Sequence, residues 1–208
     1  MMRMPRLFTH GALALLLLAA TSGSILSQEM RDRELRPYRE VSKIQMPVEI
    51  VSIKLNGKEV QPGEKIKGND DWLQGLAFTL KNISDKQIAY VEFGLPFPRP
   101  NGFVVYALQY GVDLSRGERR SEFSPSAIQP GESFDLVLTK DRYAIFLDML
   151  AQGGASKVFY TASYFIEKVC FENEPDVIWE GGALKRRDPK VFSQFNLIER
   201  YVLPKRQN

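Results

Sequence analysis

The 208-residue chain has one histidine and one cysteine, and both scarcities restrict its chemistry. His10 falls in residues 1–27, which read as an export signal, so the processed chain is expected to hold no imidazole. That removes the base of serine and cysteine hydrolase triads and the commonest ligand of zinc, copper and haem. A single thiol, Cys170, rules out an intramolecular disulfide. Set within Val169-Cys170-Phe171, it is expected to be buried and inert. Phosphate-cradling glycine motifs and calcium-loop spacing are also missing. No catalytic or metal-ligating residue and no cofactor is therefore assigned.

The N-terminus supplies what the exclusions depend on. Arg3 and Arg6 precede an apolar run from Leu7 to Ala20, followed by small residues up to Ser27. The run falls short of the roughly 20 residues of a membrane span, so the processed protein is expected in the periplasm or outside the cell, without a stable span. Removing two of the 28 basic residues leaves 26 against 25 acidic ones. This near-neutral balance gives no general attraction to nucleic acid.

Residues 28–47 are dense in charge and interrupted by Pro37, the pattern of a flexible charged leader. Residues 48–208 read as a single domain with a C-terminal extension. Val51, Ile53 and Leu55 alternate along a strand that runs into Asn56-Gly57, a strong hairpin signal. Further alternation follows at Leu76, Phe78 and Leu80, at Val91, Phe93 and Leu95, and at Phe134, Leu136 and Leu138. Pro96, Pro98 and Pro100 are expected to break the chain before an aromatic strand, Phe103 to Tyr110. One helix is expected from Asp141, as its cap, to Gln152, with Tyr143, Phe146, Leu147 and Leu150 on one face. A long strand spans Lys157 to Glu172, and another runs from Val177 to Leu184. Val191, Phe195, Ile198 and Tyr201 have helical spacing, so a short C-terminal helix is expected. Short strands separated by Gly, Pro and Asn turns predict a mainly β chain folded as an antiparallel β-sandwich with one crossover helix.

Three stretches carry a resemblance. Leu76 to Ile88, with Asn82-Ile83-Ser84-Asp85-Lys86 between two apolar strands, resembles bacterial exported immunoglobulin-like domains, as does the Pro130-Gly131-Glu132 turn before Phe134. The closing Val169-Cys170-Phe171, Trp179-Glu180-Gly181-Gly182 and Arg187-Asp188-Pro189 are similar to the ends of uncharacterised exported proteins of environmental bacteria. The resemblance implies an immunoglobulin-like sandwich and export, and no particular activity.

Several groups merit a chemical reading. Glu172, Glu174 and Asp176 alternate near a strand end, and Asp70-Asp71 precede Trp72. Two carboxylates would suffice for glycoside hydrolysis, although solvated turns are the favoured reading of such acids. Lys43, Lys86, Lys140 and Lys157 lie near serines, as a Ser–Lys dyad would require. Phe97, Phe103, Tyr106 and Tyr110 could present a binding face or pack in the core. Asn82-Ile83-Ser84 matches a glycosylation sequon but reads as a hydrogen-bonded turn. The leading expectation is a non-enzymatic binding or interaction module of the cell envelope or exterior, with a protein or glycan partner, working by surface contact or strand addition. The alternatives are a carboxylate-only glycoside hydrolase and an inhibitor inserting the polar loop Val112 to Ser126.

Overall fold

The computed structural model describes residues 29–38, 46–191 and 195–199; the expected export signal with His10, and Lys43, lie outside them. Two sheets face each other as a β-sandwich. The smaller sheet is built from β2 (Val48–Leu55), β3 (Lys58–Glu59), β5 (Ala77–Asn82) and β8 (Ser133–Val137), in the order β3-β2-β5-β8. Asn56 and Gly57 join β2 to β3 with φ of 50° and 78°, the two positive values that a two-residue primed turn demands. The larger sheet holds β1 (Arg31–Pro37), β4 (Lys65–Gly68), β6 (Ile88–Arg99), β7 (Gly102–Gly111), β9 (Thr161–Phe171), β10 (Glu174–Glu180), β11 (Ala183–Arg187) and β12 (Phe195–Glu199).

β9 organises the larger sheet. One edge pairs antiparallel with β6, which pairs in turn with β7. The other edge is shared: Thr161 to Tyr164 pair parallel with β1, while Lys168 to Phe171 pair antiparallel with β10. The parallel β1–β9 ladder is the departure from the antiparallel expectation. Between the sheets, the Phe78 ring meets Phe93 at 4.2 Å and Tyr164 at 5.2 Å between centroids. Each large apolar side chain so buried contributes about 1.5–3 kcal/mol. The crossover helix, α1 (Lys140–Gln152), carries the chain from the small sheet to the large one. Its cap is Thr139, whose hydroxyl accepts from the Arg142 amide, and not Asp141. Its apolar face closes one end of the sandwich, where Phe146 packs on Phe97, Tyr106 and Phe159.

Four expectations are corrected. First, the leader read as flexible contains a strand. Arg33 and Leu35 of β1 are buried, and Arg33 spreads its guanidinium over three acceptors: the carbonyls of Gly68 (3.2 Å) and Phe159 (2.7 Å), and the Asp70 carboxylate (2.7 Å). Hydropathy missed the strand because its inward face is half arginine. Second, Val51 is exposed, because a bulge between Ile50 and Ser52 switches the inward set from Val48 and Ile50 to Ile53 and Leu55. Third, Pro96 and Pro98 do not end β6. The Val112 amide donates to the Ala89 carbonyl, which fixes the alternation of the β6–β7 ladder and turns both proline nitrogens away from β7. β9 pairing stops at Gly94, so no strand on that side asks for the missing donors. Fourth, the expected C-terminal helix is strand β12 over Phe195–Glu199, paired with β11, whose open edge offers ladder hydrogen bonds that a helix would forgo. Residues 192–194 and 200–203 of that expectation lie outside the described ones.

Because Arg33 serves three separate acceptors from a fully buried position, Arg33→Ala is expected to cost about 3 kcal/mol of stability. Arg33→Lys should not restore it, since one ammonium does not reproduce the guanidinium fork. Urea denaturation checks both; a loss under about 0.5 kcal/mol for the alanine variant would contradict the clamp.

Candidate functional site

The register of the large sheet sets two rows of side chains across its outer face. Tyr90, Cys170, Ile178 and Lys185 are successive cross-strand partners along one row, and Glu92, Lys168 and Glu180 along the next. Tyr90, Cys170 and Ile178 form a small buried cluster separate from the main core, with Phe195 against it. Its cover is the chain after β7: Val112, Asp113 and a short 3-10 helix, Leu114–Arg116.

Asp113 is the hub of this cover and is only 2% exposed. Its Oδ2 receives Lys168 Nζ at 2.7 Å and Arg116 Nε at 3.2 Å. Its Oδ1 accepts from the Ser115 hydroxyl at 2.5 Å and from the Cys170 thiol at 3.3 Å. Arg187 donates to the Ser115 carbonyl, tying β11 to the same helix. Burial acts to raise the Asp113 pKa, but the hydrogen bonds from Lys168 and Ser115 and the Lys168 charge outweigh it and hold the carboxyl below its ordinary range. Its contribution to stability is thus present above that range and is lost as pH falls through the depressed value. The Cys170 thiol is pushed the other way, to about 12, by burial and then by the Asp113 charge. The thiol is buried and unreactive, as the sequence suggests.

Beside this hub lies an open cleft of about 470 Å³. Ser115, Lys168 and Ile178 line it together with Arg116, Glu180, Lys185 and Phe195. Lys185 Nζ bridges to Glu180 Oε2 at 2.6 Å, and the Arg187 guanidinium sits 5.3 Å over the Phe195 ring. A register shift between Glu92 and Phe93 frees Glu167 from pairing and brings its carboxyl to Glu92. Tyr90 donates to Glu92, as does Gln109 at 3.3 Å. Burial first, and then the charges of Glu92 and Glu180, raise the Glu167 pKa, with Arg116 opposing.

The acids singled out in the sequence do not converge. Glu172 pairs with Arg120 (2.5 Å), Glu174 with Lys86 (2.6 Å), Asp176 with Arg186 (3.6 Å) and Asp70 with Arg33 (2.7 Å), each on a different cation. Lys140 and Lys157 are exposed. Among the described residues, no group of three or more His, Cys, Asp or Glu is placed to hold a metal. Phe97 and Tyr106 are core residues, whereas Phe103 is half exposed. Asn82 is buried and turns the chain as expected: its Nδ2 donates to the carbonyls of Lys86 (2.8 Å) and Ile128 (3.1 Å), and its Oδ1 accepts from Ser84. The polar loop Val112 to Ser126, which the inhibitor alternative requires to protrude, begins by folding onto the sheet through buried Val112, Asp113 and Ser115. Arg120 then ties its middle to Glu172.

Sequence reading missed the hub, whose members are assembled from residues 113–116 and 168–170. One clue was present: Glu167-Lys168 interrupts an apolar run inside a long strand, so at least one of the two charges falls among apolar neighbours and needs a partner. No family model matches this chain, and no curated protein or solved structure does either.

Glu167→Gln tests the crowding of carboxylates. With its pKa raised, Glu167 stabilises fully below the ordinary glutamate range and progressively less as pH rises through the raised value. The glutamine variant is therefore expected to melt a few degrees above the wild type at pH 8 (roughly 2–4 °C) and level with it at pH 4. Differential scanning calorimetry reads this directly, and an unchanged or lower melting temperature at pH 8 would contradict it.

Proposed function

We propose that this chain is an exported, non-catalytic β-sandwich that acts as a binding module, using the cleft beside Asp113 and Lys168 as its contact surface. The observation that carries the reading is how the cleft is built. Its floor is three hydrogen-bonded strands, its wall a helix pinned by a buried ion pair, and its rim a fixed set of charges beside Phe195. A surface with its polar groups held in place recognises a partner at little ordering cost. The aromatic wall and mixed-charge rim suit a polar partner, a glycan or a protein segment.

The groups that could do chemistry there are engaged with one another. Ser115 and Cys170 both donate to Asp113, and Asp113 is held as an anion by Lys168 and Arg116. The hydrolase alternative is not favoured by the adjacent pair Glu92 and Glu167. Their carboxyls are within hydrogen-bonding reach of each other, whereas retaining and inverting glycosidases separate theirs by about 5–9.5 Å. Export rests on the Arg3/Arg6 start and apolar run of the N-terminus. No helix among the described residues is long and apolar enough to cross a bilayer.

A photo-crosslinking amino acid at Arg116, on the cleft rim, should give a discrete adduct in cells producing the protein, and Lys185→Glu should abolish it. The same probe at Ile145, exposed on α1, should give none. Equal labelling from both positions, or an adduct indifferent to Lys185→Glu, would refute the cleft as the contact surface.

A further inference from the structure

The open edges of the two sheets are not alike. β4 carries Lys65 and Lys67, β3 is Lys58 and Glu59, β8 contains Asp135, and β12 ends in Glu199. Charges on edge strands oppose their pairing with other chains. β7 is the exception. Its ten residues, Gly102–Gly111, include no charge and no proline, and its register with β6 runs without a shift from Tyr90↔Gly111 to Arg99↔Gly102.

The ladder alternation set by the Val112–Ala89 hydrogen bond directs the main-chain groups of Phe103, Val105, Ala107 and Gln109 away from β6. Among the described residues, no hydrogen bond reaches the N–H or C=O of these four. Their side chains share the outer face, where Phe103 is 50% and Val105 41% exposed. The Tyr38 ring meets Phe103 edge-on at 5.7 Å and Phe165 at the same distance, extending the apolar patch inward from the edge.

We infer that β7 pairs with β7 of a second copy of this chain, antiparallel about a two-fold axis near Tyr106. Of the open edges, β7 is the longest and the one at which an identical strand brings no charged side chain to the junction. The same two-fold pairing at β4 would bring lysines together and at β8 aspartates, whereas at β7 it opposes no charge to any other. In this register Phe103 faces the partner's Gln109 and Val105 faces the partner's Ala107. The ladder makes about eight main-chain hydrogen bonds, and the two apolar patches join across the axis. A two-fold contact of this kind closes on itself, so the product is a dimer and not a filament. The larger sheets of the two copies then form one continuous sheet, with both clefts left open.

Sedimentation velocity from about 1 to 500 μM tests the inference. The wild-type protein is expected to shift from monomer to dimer with concentration. Val105→Lys sets two like charges near the axis, and Ala107→Pro removes an outward donor without touching the β6 ladder. Each should weaken dimerisation roughly tenfold or more, with an unchanged far-UV circular dichroism spectrum. Ile145→Lys should leave it intact. A hydrogen-exchange measurement on the wild type stands independently of the variants: the amides of Val105 and Ala107 should exchange more slowly as concentration rises. A monomer across the range, a dimer indifferent to both β7 substitutions, or Val105 and Ala107 amides that exchange alike at 1 and 500 μM would overturn the inference. A monomer whose β7 amides are slowed by some other protein would assign the edge to a foreign strand.

Discussion

A lysine on the face of a β-sheet, under cover, is the constraint from which the site follows. Lys168 lies on the outer face of β9 between Glu92 and Glu180, and the 3-10 helix leaves its side chain only 10% exposed. Desolvating such a charge costs several kcal/mol unless a partner is placed against it. Asp113 is that partner, and its own burial is made tolerable by four donors on two oxygens. Meeting this requirement fixes the direction in which the chain leaves β7, winds the 3-10 helix over Tyr90, Cys170 and Ile178, and sets Arg116 on the rim of the cleft.

The same bookkeeping supports the proposal that the site is a place of contact. An aspartate that accepts from a hydroxyl, a thiol, an ammonium and a guanidinium has no lone pair directed at a reactant, and its donors are occupied in turn. Ser115 and Cys170 both hold the cover through Asp113. What faces the cleft is a set of positioned charges and a ring, as the proposed recognition role requires.

The local parts of this structure were legible in the sequence and the long-range parts were not. Asn56-Gly57 specifies its hairpin, Asn82 to Lys86 its turn, and Tyr143, Phe146 and Leu150 the buried face of α1, because each signal lies within a few residues. β1 was hidden because its inward arginine is satisfied by groups 35 to 126 residues away. The Val51 bulge and the two prolines inside β6 depend on what the neighbouring strands do, which no local pattern records. The hub was invisible for a related reason: Asp113 and Lys168 are separated by 55 residues, and only the pairing of β6, β9 and β10 brings them together. Charge in the sequence was read as solvated surface, and in most places it is; the informative residues are the few charges that the fold encloses.

A double-mutant cycle on the Asp113–Lys168 pair tests this account most directly. Asp113→Leu and Lys168→Met should each cost about 3–5 kcal/mol in chemical denaturation, because each leaves an enclosed charge without its closest counter-ion. Removing both together should cost at least about 2 kcal/mol less than the sum of the two. Single losses that simply add, within about 0.5 kcal/mol, would show that the ion pair does not hold the cover in place.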